Sequence, residues 1–227
     1  MAAFLGATGV VAAAPTPARS IAAVATPRAY VTTRASLDTN EAAERGKPWG
    51  AKLGAVDVWN RNTNEREPIR LYGEDGALDP EAAKAFMRVA RSRDDAKPGV
   101  LSTRLVKLVL RAAYHFGGAT VAIVSGTRRG ASGRHGTGEA LDFSLEGVSA
   151  GALAAWLRKT PRAGVGIYVH PKTQYVHLDV RDHSYHWVDA SPPGVTWREK
   201  LLPDPTQADR DASYSAATDL PETAASD

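Results

Sequence analysis

SGTRRGASGRHGTGEALDF, residues 125–143, sets a histidine and an aspartate on either side of two glycines. It follows the β-branched run TVAIVS, which suits a buried strand ending at Ser125, and it closes on apolar residues flanking Asp142. A loop bending at Gly136 and Gly138 returns the chain and points His135 and Asp142 at one ion. Imidazole nitrogen and carboxylate oxygen suit zinc, at ligand distances of about 2.0–2.2 Å. A catalytic zinc takes a third protein ligand and keeps one position open. His177, mid-strand in YVHLD (175–179), is the candidate. Taken singly, His135 reads as an exposed loop histidine and His177 as a hydrogen-bonded strand residue; their combination with Asp142 reads as a ligand set.

Outward from this stretch, strand and helix signals interleave. AVDVWN and EPIRLYG alternate apolar and polar residues around RNTNER, the pattern of a β-hairpin. LDPEAAKAFMRVARS begins a helix capped by Asp79, with Pro80 in its first turn and Ala83, Phe86, Met87 and Ala90 on one face. Ser102 or Thr103 caps a second helix, whose apolar face is Leu105, Leu108, Val109, Ala112 and Phe116 and which ends at Gly117 and Gly118. SAGALAAWLRKT fits a third, with Leu153, Trp156 and Leu157 inward. VGIYVH and QYVHLDV form a hairpin that SYHWVD extends. The expected fold is α+β, two or three helices packed on a small, mainly antiparallel sheet.

With 43% hydrophobic residues in 227, the chain supports one core flanked by tails. Residues 51–202 read as the domain, 27–50 as a polar linker and 203–227 as a disordered tail poor in large apolar residues. Residues 1–26 are small and apolar, with VAAA and AVAT as cleavage-like sites; an export signal and a disordered Ala/Pro tail both fit them. The net charge of +3 carries no basic run, which argues against nucleic acid as a partner. The absence of cysteine excludes disulfides, thiolate zinc cages, a cysteine nucleophile and a lipoprotein anchor. No later stretch reaches the roughly eighteen apolar residues that span a bilayer, so no membrane insertion is expected once a signal is removed.

Ser125, Gly126 and Arg128, then His135, Gly138, Ala140 and Asp142, then His177, stand in the order of a Ser-Gly-x-Arg strand end, an H-x-x-G-x-A-x-D motif and a later strand histidine. This pattern resembles the superfamily of zinc D-Ala-D-Ala peptidases and hedgehog domains. With VDVWNRNTNEREPIRLY, and with GVGIY and VHLD near the end, the chain over about 53–190 looks like the YcbK-like murein endopeptidase branch. The resemblance implies a zinc ion held by His135, Asp142 and His177. It implies a zinc-activated water as nucleophile and Arg128 on the substrate carboxylate or the developing oxyanion. The substrate implied is a peptidoglycan stem peptide or cross-link, in the periplasm or outside the cell, cut by a monomeric murein endopeptidase. A D,D-carboxypeptidase and a catalytically silent wall-binding module of the same fold are the alternatives.

Two positions depart from the family pattern. Gln174 stands where many members place an acid three residues before the last histidine, and an amide takes no proton. Asp179, on the same strand face as His177, is the nearest substitute base, with orientation of His177 as its other role. His170, across the predicted turn, is a candidate proton shuttle or a simple turn histidine. Gly133 replaces a common serine, with Ser132 displaced by one. Glu139 and Arg129 read as solvated. His183 and His186 point to opposite strand faces and make no second metal site, whereas the resemblance implies that an aromatic at the Trp187 position packs near the first. His115 reads as a helix-edge histidine.

Overall fold

The computed structural model describes residues 52–74, 76–93, 99–128, 130, 132–195 and 199–219. The expectations for 1–26 and 27–50, and that for Arg129, lie outside the described residues. The fold is α+β, with an eight-stranded mixed sheet in the order β2-β1-β3-β4-β6-β5-β7-β8. The strands are β1 (Val56–Asn60), β2 (Arg66–Ile69), β3 (Val121–Ser125), β4 (Ala140–Leu145), β5 (Ala163–Tyr168), β6 (Tyr175–Val180), β7 (Tyr185–Asp189) and β8 (Lys200–Leu201).

The sheet is larger than the small one expected and, although five of its seven pairings are antiparallel, it is mixed. Two pairings, β1 with β3 and β5 with β7, are parallel. The second has a simple cause. β6 runs antiparallel to β5 and ends beside its start, so a chain that crosses there to the free edge of β5 must run parallel to it. SYHWVD therefore joins the sheet on the far side of β5 instead of extending the β5–β6 hairpin, and β8 closes that edge.

Helix α1 (Pro80–Val89) starts as its sequence dictates, with the Asp79 carboxylate accepting from the Glu81 N–H at 2.8 Å. Its inward face is Ala82, Ala85, Phe86 and Val89, turned from the expected one; Ala83 and Met87 are half-buried. Alanines on both sides of the stripe left its phase undetermined. Helix α2 (Thr103–His115) is buried nearly all round, Arg104 and Lys107 included, where one apolar face was expected. Helix α4 (Ala150–Leu157) buries Leu153, Trp156 and Leu157 as read. These helices share one apolar cluster with Val58, Ile123, Leu141, Val165 and Leu178 of the sheet. The other face of the sheet carries the polar row described below.

Residues 203–219, expected to be disordered, are ordered. Helix α5 (Gln207–Ala212) and a 3-10 turn (Ala216–Asp219) dock by polar anchors. Asp211 accepts from the Arg162 N–H, the Ser184 N–H and the Ser184 hydroxyl, each at 2.6 Å. Asp219 pairs with Arg104 through two bonds of 2.8 and 3.0 Å, both side chains being out of solvent. Arg104 also donates to the Pro161 and Arg162 carbonyls. Covered by the sheet on one side and the 3-10 turn on the other, α2 has no wet face at Arg104.

Candidate metal centre

Five strands contribute to one row across the sheet. Ser125 of β3 pairs with Asp142 of β4, Asp142 with His177 of β6, His177 with Gly166 of β5, and Gly166 with Trp187 of β7. Residues directly opposite each other share a face, so the row points to the side away from the helices. An irregularity between Ile123 and Ser125 shifts the β3 register by one residue. That bulge puts Ser125, in place of Val124, opposite Asp142.

His135 reaches the row from α3 (Arg134–Thr137), a single turn between two glycines with positive φ, Gly133 at 95° and Gly138 at 76°. Gly138 is needed twice over: besides its left-handed backbone, a Cβ there would stand 1.8 Å from the Val100 carbonyl oxygen. Gly126 packs as closely against the Ala90 carbonyl, and its own carbonyl accepts from His135 Nδ1 at 2.9 Å.

Three candidate ligand atoms converge. His135 Nε2 lies 3.3 Å from His177 Nδ1 and 3.4 Å from Asp142 Oδ1, and His177 Nδ1 lies 2.9 Å from Asp142 Oδ1. Ligands about 2.0–2.1 Å from a tetrahedral ion stand about 3.3 Å apart, so the triangle matches one face of such a site. The tautomers agree. His135 Nδ1 faces the Gly126 carbonyl, which only accepts, and His177 Nε2 faces the Asp179 carboxylate at 3.0 Å, so the outward nitrogens carry protons and a cation that displaces the proton shared with Asp142 meets both inner nitrogens as lone-pair donors. The His135 and His177 side chains keep 13% and 11% of their surface exposed, so a further ligand can approach from solvent. His135, Asp142 and His177 can hold a metal ion.

The electrostatics fit a cationic guest. Burial opposes charge on Asp142, but hydrogen bonds and charge from His135 and His177 hold its carboxyl well below the usual carboxylate range. Burial likewise pulls His177 down, and the hydrogen bonds and charges of Asp142 and Asp179 outweigh it and raise it to about 9. A proton shared in this cluster takes the place that a cation would take.

Arg128 sits at the rim, 55% exposed, donating through Nε to Ser125 at 2.9 Å and through Nη2 to Asp142 Oδ2 at 3.2 Å. Asp179 lies behind His177, wholly buried, accepting from His177 and from Arg181 Nε at 2.6 Å, with a second short bond from Arg181 and Arg134 Nε at 3.4 Å. With both oxygens engaged on the far side of the imidazole, it orients His177. His170 occupies the β5–β6 turn, where its Nδ1 accepts from the Lys172 N–H at 3.2 Å; it is not one of the converging groups. Gln174 is exposed just before β6. Glu139 is buried, not solvated, and accepts from the Thr137 hydroxyl at 2.7 Å. His186 is buried on the opposite face of β7, and the Trp187 ring lies 5.0 Å from that of His177. His115 stacks on Trp156 at 4.6 Å.

Six residues in and around the site carried no reading of their own. A Cβ on Gly164 would meet Asp179 Oδ2 at 2.2 Å, and one on Gly166 would meet the Trp187 indole at 2.4 Å, so both glycines clear space for these side chains. Their alternation in AGVGIY, two glycines on one strand face, was the available signal. Arg134 and Arg181, which hold Asp179, had no such signal, because their roles depend on pairing across the sheet. Tyr168 and Tyr175 stack in the adjacent register at 4.4 Å. Burial first, then the negative charge of Asp142, raises both phenols, Tyr175 to about 12, so both are hydroxyl donors at neutral pH.

Among the described residues no helix is long and apolar enough to cross a membrane. Compared with family models, with curated proteins and with solved structures, the chain gives no match.

Proposed function

We propose that the chain is a zinc-dependent peptidase, akin to the zinc D-Ala-D-Ala peptidases and hedgehog domains, that hydrolyses peptide bonds in peptidoglycan stem peptides or cross-links. The observation that carries this reading is the convergence of His135 Nε2, Asp142 Oδ1 and His177 Nδ1 beside an exposed guanidinium, Arg128. Two imidazoles and one carboxylate form a mixed N/O set that favours zinc over magnesium or calcium. Zinc bound there supplies a Lewis acid and a water of lowered pKa.

The residues of the chain do the rest. Asp179, fixed by Arg181 and Arg134, holds the His177 ring in the tautomer a ligand needs. Gly126 does the same for His135. Arg128, held at one end by Ser125, presents its remaining N–H groups to the oxygen that becomes negative as the carbonyl is attacked. With Asp179 committed to orientation, His170 is the remaining candidate from the sequence for proton transfer, and since it lies on the β5–β6 turn outside the converging groups its role rests on the test below. Endopeptidase action on cross-links outside the cytoplasm is the favoured form, after the murein endopeptidase branch that the motifs resemble.

The test is digestion of purified murein by the full chain. Release of new amino groups that stops with chelator, returns with zinc and falls at least tenfold in His170→Ala supports the whole reading. A chain that binds zinc and releases nothing favours the silent wall-binding module, the second reading. The engagement of both Asp179 oxygens and the amide at Gln174 are the observations on its side.

A further inference from the structure

Next to the metal centre lies a cleft of about 480 Å³, most of whose lining has no role above. It shares Ser125, Gly126 and Arg128 with the site and extends towards the β1–β2 turn and the end of α1, where Arg61, Arg91 and Arg93 line it. Its four arginines face few acids. Glu65 neutralises Arg91 at 2.6 Å, and Asp142 takes one bond from Arg128. The other two donate to neutral oxygens: Arg61 to the Ser144 hydroxyl at 2.7 Å, and Arg93 to the Asn62 carbonyl. Among the described residues neither Arg61 nor Arg93 has an acidic partner, and both are exposed to the cleft.

We propose that this cleft is a carboxylate subsite, in which Arg61 and Arg93 receive a carboxylate borne by the same peptide whose bond lies at the metal centre. A planar guanidinium matches a carboxylate in two parallel hydrogen bonds. Strand order sets the direction. The cleft is on the β1–β3 side of the metal row, and the exposed Tyr185 ring of β7, packed at 5.6 Å on the buried Trp187, is on the other. The substrate thus lies across the strands with its acidic group over β1 and β3 and its less polar part over β7. The peptide nature of the ligand rests on the reading above; the anion preference rests on the arginines alone.

The test measures binding by calorimetry to the full chain, with chelator present so that no metal contributes. The probes are a short N-acetylated D-alanyl peptide with a free terminal carboxylate, its carboxamide, and inorganic phosphate. Tighter binding of the acid than of the amide, by about tenfold as expected for a charge-assisted pair, supports the subsite when Arg61→Ala plus Arg93→Ala abolishes the difference. Single substitutions, each at an exposed side chain, give intermediate ratios. Equal affinity for acid and amide overturns the proposal, as does a ratio unchanged in the double variant. Phosphate binding without discrimination between the peptides also overturns it, since the cleft is then a site for free inorganic anion. A chain that fails to bind zinc but passes this test loses the peptidase reading and keeps the anion subsite.

Discussion

Two buried acidic clusters in this molecule have opposite electrostatic character. At the C-terminal clamp, Asp219 receives two bonds from Arg104 and one from the Tyr214 hydroxyl at 2.9 Å, and the guanidinium gives two further protons to backbone carbonyls. Every strong donor there has an acceptor, and the cluster is complete. At the metal row, Asp142 and two imidazoles converge on one point with a shared proton between them, while the outward ring nitrogens donate to Gly126 and Asp179. Acceptors outnumber donors. The first cluster holds a fold together; the second is arranged so that it could hold a cation.

The largest expected effect belongs to the complete cluster. Asp219→Ala leaves Arg104 charged and buried without its partner, which costs about 3–5 kcal/mol in a urea unfolding experiment. Zinc stoichiometry in the folded fraction should not change. If it does, the clamp and the metal row are not separate, and the comparison fails.

Next comes the support of the metal row. Asp179→Asn keeps an acceptor for His177 but lowers its basicity, so zinc affinity drops about tenfold to a hundredfold at unchanged stoichiometry in a chelator competition. Gly166→Ala drives a methyl into the Trp187 indole and costs about 1–3 kcal/mol, with a change in tryptophan fluorescence reporting the displaced ring.

The smallest effect is a slope. His186 is buried on the helix side of the sheet, 3.7 Å from Asp204, and burial followed by the charge of Arg158 lowers it to about 4. It is neutral in the fold and protonates more easily when unfolded. Its contribution is therefore full above about pH 6.5 and is lost as pH falls towards 4, at up to about 1.4 kcal/mol per pH unit. His186→Leu should flatten that part of the stability profile; an unchanged slope would mean that another group carries it.

The same contrast explains what the sequence revealed. The convergence of His135, Asp142 and His177 was legible because few residue types serve as metal ligands and the glycines between the first two advertise a tight return. The hairpin of β1 and β2 and the caps of α1 were legible from alternation and from Asp79. The clamp was not. It docks through Asp211, Asp219 and Tyr214, residues that on a polar tail look solvated, and Arg104 reads as one more charged position on an amphipathic helix. Hydrophobic periodicity marks surfaces that bury carbon, and it is blind to a segment that docks by satisfied charges. The parallel placement of β7 escaped for a related reason: alternation tells which face a strand shows but not which edge it joins.

The most direct test of the metal centre is a zinc titration of the full chain followed by elemental analysis after dialysis. The account predicts one zinc per chain, lost in His135→Ala plus His177→Ala while Asp219→Ala retains it. A chain that binds no stoichiometric zinc, or one that keeps it after both histidines are replaced, contradicts the account.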